Sequence, residues 1–168
     1  MPNAAFDLLR GIGGRVDFLT FFDIIFLIKL NLREVYIMLF HSFSSQKERR
    51  EYGGSDFIEF QCCKLKRGTS IKKIISAAHI EHWKTNSLYL SGDNMDDFLF
   101  LYSDIFNKGI YNNGKSGSVD LFGINYYPPE LEKAIVKRLQ ERNSEDDRIL
   151  TDWLMTADEH NGLYILGV

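Results

Sequence analysis

Two hydrophobic patterns alternate along most of the chain, and each predicts a different kind of element. Apolar residues spaced three and four positions apart predict amphipathic helices, whereas alternation at every second position predicts strands. The helical pattern covers residues 69–84, 93–109, 128–143 and 144–162. Runs rich in β-branched and aromatic residues predict strands within residues 34–43, 57–66, 87–93, 111–127 and 163–168. This order predicts an α+β fold, a single domain with helices packed against one mostly antiparallel sheet.

Short polar motifs mark where the predicted helices begin. Pro129 stands in the first turn of one helix, where its missing N–H group has no helical partner to lose. Ser144, followed three residues later by Asp147, forms a capping-box pattern for the next helix. Residues 44–56 are polar and highly charged, and we interpret them as a loop that joins the flanking strands into an antiparallel hairpin.

The N-terminal region is apolar but carries charges at intervals. Residues 18–40 contain Asp23, Lys29, Arg33 and Glu34, so the uncharged runs are shorter than the roughly 18–20 residues that a membrane-spanning helix needs. We therefore expect this segment to contribute to the core of a soluble protein.

Two alternatives remain for this region on sequence grounds. One is a single marginal membrane helix within residues 18–40. The other is that the native domain starts at Met38, which would make residues 1–37 a peripheral or non-native extension of the single domain predicted over residues 1–168.

Length and charge narrow the function classes. A chain of 168 residues favours one domain. The net charge is −3, but residues 1–84 carry 13 Lys+Arg against 9 Asp+Glu, and residues 85–168 carry 7 against 14. This imbalance predicts a dipolar surface and argues against a general nucleic-acid-binding protein, which is usually basic. Cys62 and Cys63 are adjacent and predict reduced thiols in a cytoplasmic protein, because vicinal disulfides are strained.

Motifs for catalysis or cofactor binding are weak throughout the sequence. His79 and His82 are three residues apart, whereas a helical zinc pair is usually four apart, so we predict no metal and no cofactor. The alternative function is a small enzyme of unknown reaction, with a cleft at the strand ends that uses His79 or His82, Asp93 or Tyr127.

The stretch DLFGINYYPPE, residues 120–130, raises a question about its two faces. On a strand, Phe122, Ile124 and Tyr126 share one face, which we expect to pack in the core. The opposite face then carries Gly123, Asn125 and Tyr127. One interpretation is that a helix packs over Gly123, and the other is that these residues form a small recognition patch.

These observations favour a non-catalytic protein that binds another protein. We expect a bacterial immunity or inhibitor type of protein that neutralises a basic toxin partner through acidic and aromatic surface on its C-terminal half. The predicted partner-binding residues are Gly123, Asn125, Tyr127, Asp93, Asp96 and Asp97. The tyrosine pair, the charge of residues 85–168 and the absence of catalytic motifs all support this expectation.

Overall fold

The computed structural model describes residues 38–53, 56–157 and 159–167. These residues form one antiparallel sheet with helices packed against it, which confirms the predicted α+β fold class. Predictions for residues 1–37, including the core or membrane role of residues 18–37, lie outside the described residues. In the part of the chain that is described, no helix is long and apolar enough to cross a membrane.

The sheet contains seven strands in the order β1-β3-β2-β7-β6-β4-β5. Every neighbouring pair is antiparallel. The strands are β1 Phe40–His41, β2 Phe57–Cys62, β3 Leu88–Ser91, β4 Gly109–Tyr111, β5 Ser116–Gly117, β6 Ile124–Tyr127 and β7 Leu163–Leu166. The longest strand, β2, therefore lies in the interior of the sheet between β3 and β7.

Five α-helices and two short 3₁₀ turns connect the strands within the described ranges. The helices are α1 Gln46–Gly53, α2 Ile71–Ile74, α3 Met95–Tyr102, α4 Pro129–Arg142 and α5 Glu145–Thr156. The 3₁₀ turns are Ala77–His79 and Gly92–Asn94. Helices α3, α4 and α5 supply buried residues to the main core, whereas α1 and α2 contact the opposite face of the sheet.

The main core lies between one face of the sheet and helices α3, α4 and α5. Alternate residues of β2, Ile58 and Phe60, point into this core together with Leu163 and Ile165 of β7. Aromatic rings fill much of it in edge-to-face contacts, including Phe40 with Phe60 at 5.3 Å between ring centroids.

The second face of the sheet is also covered at its centre. Phe43, Phe57 and Tyr89 form one apolar cluster there, and Ile74 and Tyr164 belong to a second. All six residues of β2 are consequently buried, so neither face of this strand is exposed to solvent. Strands covered on both faces do not show strict hydrophobic alternation.

The predicted hairpin between β1 and β2 is wrong. Their connection contains helix α1, and β3 lies between the two strands, since Leu90 pairs with both Phe40 and Ile58. The side-chain oxygen of Ser45 accepts a hydrogen bond from the N–H of Glu48 at 3.1 Å, which caps the first turn of this helix.

The continuous helix predicted over residues 69–84 is also wrong. Only α2 and the 3₁₀ turn Ala77–His79 are helical there. Farther along, the Gln61 amide donates to the carbonyl of Glu81 at 2.6 Å, and the Glu59 carboxylate accepts from the N–H of Trp83 at 2.7 Å. These buried side chains therefore form hydrogen bonds with backbone N–H and carbonyl groups that would pair with each other in a helix.

Both predicted helix starts in the C-terminal region are confirmed. Pro129 is the first residue of α4. Before α5, the Ser144 hydroxyl accepts from the N–H of Asp147 at 3.2 Å, and the Asp147 carboxylate accepts from the N–H of Ser144 at 2.9 Å. Asn143 takes a left-handed conformation with φ of 55°, which turns the chain sharply from α4 into α5.

Candidate functional site

The residues predicted to bind a partner fall into two separate places. Asn125 and Tyr127 lie on β6, whereas Asp93, Asp96 and Asp97 follow β3 and begin α3. Strands β2 and β7 lie between β3 and β6, so β3 and β6 are about 14 Å apart in the sheet. The structure therefore does not bring these residues together in one surface.

Asn125 is completely buried and completes the hydrogen bonding of the loop before β6. Its amide oxygen accepts from the N–H of Asp120 at 2.7 Å, and its amide nitrogen donates to the Asp120 carbonyl at 2.7 Å. The same nitrogen donates to the carbonyl of Ile165 on β7 at 3.0 Å. The side chain thus satisfies backbone groups that would otherwise be buried without partners.

Tyr127 is buried under the helices rather than displayed on the surface. Its hydroxyl donates to the carbonyl of Phe106 at 3.1 Å, and the two rings make an edge-to-face contact. Burial raises the pKa of Tyr127 well above the usual tyrosine value. A Cβ atom at Gly109 would collide with this hydroxyl group, so the glycine leaves room for the ring.

The prediction of which residues between 120 and 127 face the core and which face solvent is therefore wrong. Phe122, expected in the core, is 77% exposed, because β6 begins only at Ile124 and a turn precedes it. Gly123 is half-buried, and the nearest atoms to a Cβ placed there belong to Asp120 rather than to a helix. Gly123, Asn125 and Tyr127 do not form an exposed patch.

The three aspartates lie beside exposed apolar residues on helix α3. Phe100 is 65% exposed, and Asp96 and Asp97 occupy the preceding turn of the same helix at spacings of four and three. Asp93 and Asp96 are exposed, and Leu99 is partly exposed. We call Asp93, Asp96, Asp97, Leu99 and Phe100 the α3 surface.

The inner side of α3 is firmly anchored. Phe98 and Tyr102 are buried, and both rings contact Phe40 of β1. The guanidinium group of Arg142 lies 4.2 Å from the centre of the Tyr102 ring and also donates to the carbonyl of Leu101. These contacts hold the helix so that Phe100 is presented outward from a rigid element.

A carboxylate that the sequence did not predict to be buried lies on the second face of the sheet. Glu59 accepts hydrogen bonds from the N–H groups of Trp83 at 2.7 Å and Lys84 at 2.9 Å, and from the Ser87 hydroxyl at 2.7 Å. The Tyr89 hydroxyl is 3.3 Å away. A charged residue inside the apolar run FIEF was the available signal, since a buried charge requires partners.

This network holds Trp83 in an unusual conformation. Its φ angle is 68°, which is uncommon for a bulky residue and costs on the order of 1–2 kcal/mol. The indole ring stacks on Tyr89, and the Arg49 guanidinium lies 3.9 Å from its centre. The hydrogen bonds to Glu59 and these ring contacts offset the backbone strain at Trp83, so the strained φ angle is accounted for by the fold and does not indicate a binding site.

Two residues of the alternative enzymatic function, His82 and Tyr127, do not share one cleft. His82 lies near Glu59, with 3.9 Å between its Nδ1 and the carboxylate, and Tyr127 lies on the opposite face of the sheet. Burial raises the pKa of Cys62 to about 12, which opposes a nucleophilic thiolate at neutral pH. Within the described ranges, no three His, Cys, Asp or Glu residues are arranged to hold a metal ion.

No family model matches this chain, and no curated protein or solved structure shows significant similarity to it.

Proposed function

We propose that this protein binds a basic protein partner through the α3 surface and has no catalytic role in that interaction. The observation that carries the proposal is the outward position of Phe100, 65% exposed on an anchored helix and flanked by carboxylates. The more specific form of this proposal is that the protein is a bacterial immunity or inhibitor protein and that its partner is a toxin, which it neutralises.

The chemistry of the α3 surface defines the partner that fits it. Residues 93–104 contain four aspartates and no Lys or Arg. Such a surface attracts a basic protein over long distances and accelerates its association at low salt. Aromatic side chains that enter an apolar pocket of a partner often supply much of the binding energy. Phe100 supplies the apolar anchor, and the aspartates supply the charge complementarity.

The first experiment compares two phenylalanines that are both exposed. The full chain, its Phe100→Ser variant and its Phe122→Ser variant are immobilised and exposed to lysate at low salt. Phe122 is 77% exposed and lies in the turn before β6, so it is a matched control. We expect a basic protein to be retained by the wild type and by Phe122→Ser and lost with Phe100→Ser.

The captured protein is then purified and its affinity measured by calorimetry at several salt concentrations. We expect Phe100→Ser to weaken binding at least tenfold, and Asp96→Asn to reduce the dependence of affinity on salt. Equal binding by wild type and Phe100→Ser would exclude the α3 surface as the binding site. Absence of any basic partner at low salt would contradict the proposed function.

The finer proposal has its own test. The captured protein is expressed in bacterial cells with and without this chain, and growth is measured. Growth arrest that is relieved by the wild type but not by Phe100→Ser is the expected result. A partner that does not affect growth would exclude the toxin-neutralising form and leave the protein-binding function in place.

A further inference from the structure

A cavity of about 340 Å³ lies between the loop before α2 and the beginning of α4, remote in sequence from the α3 surface. Its volume is within the range of small-molecule sites, at the lower end. Its lining includes Arg67, Ile74, Tyr126, Glu130, Lys133 and Asn161. Ile74 and Tyr126 are buried, and the charged residues are exposed.

Positive charge dominates the loop on one side of this cavity. Residues 64–80, which include this loop and α2, contain five Lys or Arg and no Asp or Glu, and Arg67 is the one of the five that lines the cavity. The loop contains a tight turn in which the N–H of Thr69 donates to the carbonyl of Lys66 at 3.1 Å and Gly68 has a φ of 86°. Arg67 occupies the second position of this turn and lines the cavity.

Helix α4 forms the other side and adds a second cation. Lys133 lies one turn into the helix, and it has no ion-pair partner among the described residues. No side chain caps the helix start, and Glu130 is the first residue there with an N–H group, since Pro128 and Pro129 have none. The helix dipole also favours an anion at this end.

Two acidic groups equal the two cations in number, so the attraction for an anion comes from the helix dipole and from Arg67 once it turns away from its acidic partner. Glu130 lines the cavity, and the Glu159 carboxylate is 3.9 Å from the Arg67 guanidinium. Both members of that ion pair are largely exposed, so water screens it and the pair is weak. Arg67 can turn from Glu159 to a more highly charged anion at little cost.

Asn161 places an amide group in the wall of the cavity. Only 8% of this residue is exposed, and it lines the cavity. Its amide nitrogen donates weakly to the carbonyl of Lys66 at 3.4 Å, while its backbone carbonyl accepts from the Tyr126 hydroxyl at 2.7 Å. Its side-chain oxygen has no partner among the residues that the structure describes. This oxygen can accept a hydrogen bond from a ligand hydroxyl group.

We propose that this cavity binds a small phosphomonoester that carries hydroxyl groups, of the size of a sugar phosphate. The phosphate lies between Arg67, Lys133 and the N–H of Glu130, where two cations and the helix dipole favour a dianion. A hydroxyl group of the same molecule donates to the side-chain oxygen of Asn161. Tyr126 and Ile74 form the apolar floor.

The test uses three probes on the full chain: ribose 5-phosphate, ribose and inorganic phosphate, each titrated by calorimetry. We expect ribose 5-phosphate to bind at least tenfold more tightly than inorganic phosphate, and ribose not to bind. No binding of ribose 5-phosphate at millimolar concentration would overturn the proposal. Equal affinity for inorganic phosphate would overturn the assignment of a hydroxyl subsite at Asn161.

Matched variants locate the binding. Lys133→Gln and Arg67→Gln should each weaken ribose 5-phosphate binding at least fivefold. Lys137→Gln is the control, because Lys137 lies one turn further along α4, outside the cavity lining, and pairs with Glu141. Thermal unfolding without ligand verifies that each variant is folded. Equal effects of Lys133→Gln and Lys137→Gln would show general charge attraction and exclude this cavity as the site.

Discussion

The side chain of Asn125 forms hydrogen bonds with backbone groups that have no strand partner where β6 begins. One amide group satisfies both the N–H and the carbonyl of Asp120 and reaches across to Ile165 on β7. An aliphatic side chain would leave these backbone groups in the interior without partners. Asn125, which was predicted to bind a partner, is thus required by the fold.

We predict that Asn125→Ala destabilises the protein. A buried polar group left without a partner costs about 1–3 kcal/mol, and this change affects more than one such group. The measurement is urea unfolding, with Asn112→Ala as a control, because Asn112 is exposed in the turn between β4 and β5. An unfolding free energy unchanged by Asn125→Ala would show that water replaces the amide.

Cys62 provides a second prediction at the residue scale. Burial raises its pKa to about 12, so very little thiolate is present at pH 8. We expect iodoacetamide to modify Cys62 at least tenfold more slowly in the folded protein than in urea, as followed by tandem mass spectrometry. Modification at equal rates in both states would mean that the strand end opens readily.

At the scale of elements, the turn between α4 and α5 concentrates several interactions on one carboxylate. Asp147 is buried, completes the capping box with Ser144 and accepts from the guanidinium of Arg142 at 2.8 Å. Arg142 also covers the Tyr102 ring of α3. Asp147 therefore connects three helices, and its charge is part of how the helical layer is held together.

The pH dependence of stability follows from this environment. Burial alone would raise the pKa of Asp147, but the hydrogen bonds from Arg142 and Ser144 outweigh it and hold the pKa below its usual value. A carboxylate with a lowered pKa stabilises the fold above its unfolded pKa of about 4, and this contribution is lost as the pH falls toward the folded value. The pKa of neighbouring Asp146 is raised, mainly by burial. Protonation of Asp146 at low pH therefore stabilises the fold, whereas protonation of Asp147 destabilises it.

We predict that Asp147→Asn lowers the unfolding free energy at pH 7 by up to about 3 kcal/mol, since Arg142 is left with a neutral partner in a partly exposed site. Below pH 4, the wild type should lose more stability than the variant. Chemical denaturation at pH 7 and pH 3 measures both effects. Asp152→Asn on the exposed side of α5 is the control, and an equal response of the two variants would contradict the role of Asp147.

For the whole molecule, burial varies strongly across the sheet. Strand β2 pairs with β3 on one side and β7 on the other, and both of its faces are covered. Strands β1 and β5 lie at the two edges and contain two residues each. The resistance of the sheet to opening should therefore be highest in β2 and β7.

We predict that backbone amides of β2 and β7 exchange with deuterium at the rate of global unfolding. Amides of β5 should exchange faster by at least a hundredfold, because edge strands open locally. Hydrogen exchange followed by NMR measures both rates. Equal protection of β5 and β2 would show that an additional contact covers this edge.

Functional inference also required the assembled molecule. The acidic residues at the start of α3 and the inward face with Phe98 and Tyr102 followed from the sequence, but the exposure of Phe100 became clear only in the folded chain. The cavity beside Asn161 was missed, because its lining comes from residues 67–74, 126–133 and 161. No local pattern connects segments that are this far apart in the chain.

The sequence by itself determined the fold class and the features whose partners lie within one helical turn. Pro129 begins α4, and Ser144 pairs with Asp147, because three residues of chain suffice to make these contacts. Only the tertiary structure decided the strand order and the faces of β6. The reason is physical: Asn125 bonds to Ile165, forty residues away, and burial of a face depends on which distant element covers it.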